Sequence, residues 1–140
     1  MTDIDVTVLG AAQEVGRSCI VVRLGGKTVM FDCGLHVGHA DGRRFPNFAW
    51  LAQNRVAVDV VCISHFHLDH VGALVHYCVT TGYDGPIVMS APTRAVTRLQ
   101  LEAMHRISPQ NGSLADIARV LARVTTVRLH QTITVAGVEL

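Results

Sequence analysis

Residues 56–74 read VAVDVVCISHFHLDHVGAL and place a polar cluster between two apolar segments. The segment 56–64 is almost continuously apolar, which is the pattern of a strand buried on both faces. Beyond the cluster, apolar residues recur at i, i+3, i+4 and i+7, namely at Val71, Leu74, Val75 and Cys78. This spacing predicts one face of a helix that Gly82 ends. The sequence therefore predicts a strand, a chemically active turn at 65–70 and a helix, in that order.

The turn carries three imidazoles and a carboxylate, from His65, His67, Asp69 and His70. The end of a strand holds His65 and His67 two residues apart, so that both rings leave the same side of the backbone. Neutral imidazole and carboxylate suit Zn²⁺ better than Fe or Mn. We therefore predict a two-metal hydrolytic centre, in which a bridging water supplies hydroxide and Asp69 both ligates and holds its proton. A purely structural zinc site is the alternative that the spacing leaves open.

Three strands are predicted before this segment. Ile4, Val6 and Val8 alternate with polar residues and predict a half-buried strand that ends at Gly10. The β-branched runs 18–24 and 27–32 flank a Gly-Gly pair, which predicts a hairpin. The N-terminal third therefore reads as an antiparallel meander. Residues 33–50 have no clear period and read as a long irregular loop.

Alternating strands and helices are predicted after it. Residues 87–90 read as a short strand, and Thr93 as the cap of a helix through Ile107. Its packed side is predicted to consist of Val96, Leu99, Ala103 and Ile107. Ser113, with Asp116 three residues on, predicts the start of another helix, and 132–140 a hairpin across Ala136-Gly137. The chain is thus predicted to be an α/β domain with helices layered on a sheet.

Composition excludes several function classes. The 140 residues carry a formal net charge of +1, which gives no global preference for nucleic acid or an anionic membrane. The longest segment without a charged residue, 70–83, is too short to span a bilayer. The N-terminus lacks the features of a secretory signal, so we expect an intracellular protein. The four cysteines are scattered and read as small buried apolar residues.

The histidine cluster resembles the second motif of the metallo-β-lactamase superfamily, and Phe31-Asp32-Cys33-Gly34 resembles its first. Other segments are similar to one branch of that superfamily, the β-CASP RNA endonucleases of Integrator type. They are LGAAQEVGRSCI (9–20), MFDCGLHVG (30–38), DGRRFPNF (41–48), GYDGPI (82–87) and LHQT (129–132). Ala91 departs from the family, whose members often carry a histidine there.

The resemblance implies a metallo-β-lactamase αββα sandwich, of which residues 1–140 would be the N-terminal part, without the β-CASP insertion and the C-terminal part. It implies two zinc ions, one held by His65 and His67 and the other by Asp69 and His70. It also implies that Asp32 supports catalysis beside Asp69 without binding an ion. The implied reaction is hydrolysis of an RNA phosphodiester.

The same resemblance implies a nuclear protein that meets RNA and other subunits of an RNA 3′-end processing complex, with no membrane association. Because the family takes further ligands from later in its chains, we expect these 140 residues alone to be inactive. Two other hypotheses stay open. One is a metallo-hydrolase of the same fold that acts on a small ester or thioester, and the other is a truncated, non-catalytic scaffold.

Overall fold

The computed structural model describes residues 3–109 and 112–140, and its centre is a mixed sheet of six strands. The strands of this sheet are β1 (Ile4–Gly10), β2 (Cys19–Leu24), β3 (Lys27–Phe31), β4 (Val60–Cys62), β5 (Ile87–Ser90) and β6 (Val124–Val127). The helices are α1 (Ala49–Gln53), α2 (Leu68–Val71), α3 (Leu74–Thr81), α4 (Ala91–Ile107) and α5 (Leu114–Ala122). A separate hairpin consists of β7 (Thr134–Val135) and β8 (Val138–Glu139).

The strands lie in sequence order across the sheet, and the pairing between neighbours changes from antiparallel to parallel at β3. β1, β2 and β3 are antiparallel, which confirms the predicted meander. β3, β4, β5 and β6 are parallel, with Phe31 beside Cys62 and Cys62 beside Val88. Since parallel strands end at the same edge, the residues that follow β3 and β4 are brought together.

The core lies between this sheet and the helices. Val21 and Met30 of the meander, and Leu74 of α3, are almost completely buried in one apolar cluster. Helix α5 adds Ile117, Val120 and Leu121 to the same cluster. The predicted layering of helices on a sheet is therefore confirmed. It supplies one sheet layer and one helix layer of the αββα order that the resemblance implies.

The strand predicted over 56–64 is shorter than expected, since β4 comprises only Val60–Cys62. Its pairing with β3 begins at Asp59, whose N–H donates to the Thr28 carbonyl at 2.9 Å. The Asp59 carboxylate in turn accepts from the Thr28 N–H at 2.8 Å. Before that point the chain leaves a turn at Arg55, where φ is 54°, so Val56 packs on the core without joining the sheet.

Helix α4 differs from its prediction in both its cap and its packed side. Ser90, not Thr93, is the cap, because the Ser90 hydroxyl accepts from the Thr93 N–H. The buried residues are Thr93, Thr97 and Leu101. Two residues predicted to pack, Leu99 and Ile107, are instead 66% and 86% exposed. Apolar spacing defined a helix here but selected the wrong face.

Most of the remaining predicted elements are confirmed, and two elements of the structure differ from the prediction. The helix after the cluster is confirmed, with a break after Val71, and ends at Gly82 with φ of 70°. The strand at 87–90, the capping box of Ser113 with Asp116 and the final hairpin are also confirmed. Helix α1 begins inside the predicted loop, and β6 was not predicted.

Two expectations drawn from composition concern membrane-spanning helices and the cysteines. In the part of the chain that is described, no helix is long and apolar enough to cross a membrane. All four cysteines are free thiols, and three of them are buried, as predicted. Burial raises the pKa of the half-buried Cys62 to about 11, so this thiol stays protonated at neutral pH.

Candidate metal centre

The cluster predicted to bind metal lies at the edge of the sheet where β3 and β4 end. Asp32 directly follows β3, and Ser64 and His65 come shortly after β4. The Asp32 N–H donates to the carbonyl of Cys62 at 2.8 Å, which continues the parallel pairing by one residue. The sheet therefore carries Asp32 to the histidine cluster although the two are far apart in sequence.

Asp32 is the hub of the cluster. It is 8% exposed and has a φ of 62°, a left-handed conformation that Asp adopts more readily than most residues. Its Oδ1 accepts from the Ser64 N–H at 2.8 Å, and its Oδ2 accepts from the Ser64 hydroxyl at 2.9 Å. The same Oδ2 lies 2.7 Å from Nδ1 of His70. One carboxylate thus contacts both Ser64, which directly precedes the cluster, and His70, the last histidine in it.

The four predicted ligands lie together in two pairs. Nε2 of His65 is 3.1 Å from Nδ1 of His67. Nε2 of His70 is 3.4 Å from Oδ2 of Asp69. The His65 and His70 rings, with centroids 4.0 Å apart, join the two pairs. The resemblance implies one ion site for each pair, and this assignment stays a prediction.

The backbone around the pairs is held by neighbouring loops. His67 is extended, with ψ of 145°, and caps α2, so the chain turns between His67 and Asp69. The Asp69 carbonyl accepts from the Ser18 N–H at 2.8 Å, and the His70 carbonyl accepts from the Cys33 N–H at the same distance. The loops that follow β1 and β3 therefore clamp the short helix that presents Asp69 and His70.

The donor set fits zinc, although the side chains are not arranged around an ion. Across residues 3–109 and 112–140, no three His, Cys, Asp or Glu side chains are placed so that they hold a metal ion as they stand. The reason is local, since His65 and His67 face each other and His70 faces both Asp32 and Asp69. Imidazole nitrogen and carboxylate oxygen are nevertheless the ligands that zinc takes in hydrolytic sites.

The cluster is open to solvent on the side away from the sheet. The side chains of Asp69 and His70 are 32% and 27% exposed, whereas that of Asp32 is 11% exposed. His67 is exposed and His65 is half-buried. The supporting carboxylate is thus more buried than the candidate ligands, which are accessible to solvent. Ala91 begins α4 after the neighbouring strand β5, and its methyl group offers the cluster no polar contact.

Ser64 is a polar side-chain contact of the cluster that sequence reasoning missed. Its hydroxyl lies 2.9 Å from Asp32 Oδ2 and 2.9 Å from His65 Nδ1. The only signal in the sequence is a hydroxyl residue directly before the first histidine. That signal is weak, because the contact with Asp32 depends on the pairing of β3 with β4.

Known proteins with similar sequences bear on the identity of this site. Integrator complex subunit 11 of Gallus gallus is 46% identical over 144 residues, covering 96% of this chain and 24% of that protein. Endoribonuclease ysh1 of Schizosaccharomyces pombe is 38% identical over 136 residues, covering 94% of this chain and 18% of that protein. The chain therefore spans a quarter or less of the length of these relatives.

A solved structure and a family comparison agree on the fold. The crystal structure of a diphosphatase from the PhnP family superimposes with a TM-score of 0.54 at 17% identity, covering 98% of this chain and 55% of that one. The sequence model of the metallo-beta-lactamase superfamily matches residues 12–132, which include Asp32 and the whole histidine cluster. The chain belongs to the metallo-β-lactamase superfamily.

Proposed function

We propose that the protein, in the complete form that its gene encodes, is a zinc-dependent endonuclease that hydrolyses RNA phosphodiesters in RNA 3′-end processing. The observation that carries the proposal is the gathering of His65, His67, Asp69 and His70 in two pairs around Asp32. The name of the fission yeast relative, an endoribonuclease, supports RNA as the substrate.

In this proposal His65 and His67 hold one zinc ion, and Asp69 and His70 hold a second. Bound zinc supplies an acidified water and positive charge for the phosphate oxygens. Asp69 accepts a proton from the attacking water at its carboxylate. Asp32 takes no part in bond breaking and keeps the His70 ring in place through the 2.7 Å contact with Nδ1.

The proposal extends to partners and location. The chicken relative is named as a subunit of the Integrator complex, so we propose assembly with other subunits of an RNA-processing complex, in the nucleus. RNA is then the substrate, and the contacts that these 140 residues make with it are local, because their net charge of +1 provides no general attraction.

We also propose that the 140-residue chain by itself cleaves no RNA. The cluster supplies four donors, whereas a catalytic zinc ion uses three protein ligands and leaves one position for water. Two ions therefore need more donors than this cluster contains. Incubation of the zinc-loaded chain with labelled RNA should leave the RNA intact, and specific cleavage would contradict this proposal.

The experiment that tests the function uses the complete gene product, purified and analysed for metal by mass spectrometry. We expect zinc in the protein and endonucleolytic cleavage of labelled RNA. Asp69→Asn should lower the cleavage rate about 100-fold or more, because it removes both a ligand and a proton acceptor. Asp84→Asn is the matched control, since Asp84 is exposed on the turn after α3.

Each outcome of this experiment separates the hypotheses. RNA cleavage that persists without metal, or that survives Asp69→Asn, would overturn the proposal. Zinc-dependent hydrolysis of a small ester or thioester without RNA cleavage would establish the alternative metallo-hydrolase. A complete gene product that binds no zinc and hydrolyses neither substrate would be a scaffold.

A further inference from the structure

The Ser64 hydroxyl lies between a carboxylate and an imidazole. We propose that Ser64 is a positioning residue that determines which nitrogen of His65 faces the candidate metal centre. The inference rests on the proposed function, because it assigns Ser64 a role toward the same site. It goes beyond the ligand set, since Ser64 contacts neither His67 nor Asp69 in the described hydrogen-bond network.

The direction of each hydrogen bond follows from counting protons. The Ser64 hydroxyl has one proton, and its oxygen is 2.9 Å from Asp32 Oδ2 and 2.9 Å from His65 Nδ1. A carboxylate oxygen only accepts, so the hydroxyl proton is donated to Asp32. The Ser64 oxygen must then accept from His65, which places the ring proton on Nδ1. Nε2 of His65 then carries no proton, and its lone pair accepts from Nδ1 of His67.

The unprotonated nitrogen of His65 is the one that faces the other predicted ligands. Nε2 of His65 lies 3.1 Å from Nδ1 of His67, on the side of the ring away from Ser64. If the proton were on Nε2 instead, it would occupy the position from which His65 is to bind an ion. Ser64 thereby presents the lone pair of His65 toward the centre.

Asp32 acts in the same way on the second pair, without an intermediary. Its Oδ2 is 2.7 Å from Nδ1 of His70 and accepts the proton there, which frees Nε2 of His70 beside Asp69. Among the described residues no hydrogen bond joins Asp32 to His65, and the Ser64 hydroxyl links the two through its own hydrogen bonds. One carboxylate therefore sets the tautomer of two histidines, one in each pair.

The position of Ser64 is fixed separately from its hydroxyl. Its backbone N–H donates to Asp32 Oδ1 at 2.8 Å, at the point where β4 has just ended. Ser64→Ala keeps this backbone bond and removes only the hydroxyl that links Asp32 to His65. Ser64→Thr keeps the hydroxyl as well, so it is the conservative variant that should restore the wild-type behaviour.

The first measurement is the tautomer of His65, read by ¹⁵N NMR in the metal-free 140-residue chain. The spectra are recorded at about pH 8.5, where a free imidazole in water is neutral. We expect the proton on Nδ1 in the wild type and in Ser64→Thr, and a shift toward Nε2 in Ser64→Ala. A proton on Nε2 in the wild type, or an unchanged tautomer in a folded Ser64→Ala, would overturn the proposal.

The second measurement is zinc affinity, by competition with a chromophoric chelator using Zn²⁺ alone. Ser64→Ala should bind zinc about tenfold more weakly than the wild type, and Ser64→Thr should match the wild type. Ser113→Ala is the matched control, because the Ser113 hydroxyl caps α5 away from the cluster. Equal zinc affinity in Ser64→Ala and Ser113→Ala would also overturn the role of Ser64.

These readouts are independent of nuclease activity. If the complete gene product fails to cleave RNA while Ser64→Ala shifts the His65 tautomer and weakens zinc binding, the proposed function fails and the role of Ser64 stands. If RNA is cleaved but neither readout changes, the proposed function stands and the role of Ser64 is refuted.

Discussion

At the scale of single residues, Asp32 combines a backbone constraint with a chemical one. Its φ of 62° lies where most side chains are strained, and only there does its carboxylate meet both Ser64 and His70. Asn tolerates this conformation about as well as Asp, whereas Ala does not. The two constraints can therefore be separated by choice of substitution.

Replacing Asp32 should separate strain from charge. Asp32→Asn should lower the free energy of unfolding by about 1 to 2 kcal/mol, because it removes the charge from the bond to His70. Asp32→Ala should cost about 1 to 2 kcal/mol more, because Ala is strained at positive φ and also loses the acceptor for the Ser64 N–H. Urea denaturation of the metal-free chain measures both values. Equal losses in the two variants would show that backbone strain contributes nothing.

The sequence identifies the candidate ligands more completely than the residues that hold them in place. The spacing of His65, His67, Asp69 and His70 identifies them as a group, because a strand end followed by a turn must bring them close. Asp32 could be identified only through resemblance, since its approach depends on parallel pairing between β3 and β4. Ser64 was missed for the same reason, as no local pattern encodes a contact across two strands.

At the scale of elements, the cluster depends on how closely the backbone after β3 approaches α2. A Cβ at Gly34 would lie 1.7 Å from the Asp69 carbonyl oxygen and 2.6 Å from the Ser18 nitrogen. Both neighbours are backbone atoms, so neither can rotate away. The absence of a side chain at Gly34 lets the loops clamp the helix that carries Asp69 and His70.

Gly34→Ala should therefore disrupt this clamp. We expect a loss of about 3 kcal/mol or more in the free energy of unfolding, at or above the upper end of the usual cost of overpacking. Amide exchange at Ser18, whose N–H donates to Asp69, should become faster. Gly42→Ala is the control, because a Cβ there meets no atom within 4 Å. Similar losses in both variants would contradict the proposed clamp.

The sequence predicts the existence of helices better than their orientation. In α4, apolar residues occur on more than one side, and the side counted as packed carries Leu99 and Ile107, which are exposed. The buried side instead carries Thr93 and Thr97, small enough to fit beneath the helix. Which side faces the sheet is determined by the connection from β5 through Ser90, and periodicity contains no information about that connection.

His76 of α3 gives the fold a dependence on pH. Its ring stacks on Phe45 with centroids 3.6 Å apart, and burial together with nearby Arg44 lowers its pKa below the ordinary 6.5. The unfolded chain therefore binds a proton more readily, and the free energy of unfolding decreases as pH falls below about 6.5, where the unfolded chain takes up that proton first. His76→Phe keeps an aromatic ring and should reduce the decline in unfolding free energy between pH 7 and 5. Identical pH profiles from urea denaturation would refute this role.

At the scale of the whole molecule, the meander has two apolar faces but only one is buried. Val21 and Met30, paired across β2 and β3, face the core. The opposite face carries exposed apolar side chains, namely Ile4, Val6, Val8, Ile20, Leu24 and Phe31. Alternation in β1 predicted a strand with one apolar face, but alternation alone does not say whether another layer covers that face.

This exposed face should limit the solubility of the chain. Ile4 and Val6 are each 61% exposed, so changing both to Thr keeps the β-branched shape and removes apolar surface from water. We expect the double variant Ile4→Thr, Val6→Thr to bind less of the dye ANS and to stay soluble at higher concentration. Its free energy of unfolding should stay within about 0.5 kcal/mol of the wild type, as for other surface changes.

The control variant is Val21→Thr, on the buried face of the meander. It should lose about 1 to 3 kcal/mol, because a hydroxyl enters the core without a partner. If the double variant were destabilised as much as Val21→Thr, both faces of the meander would have to be buried in solution.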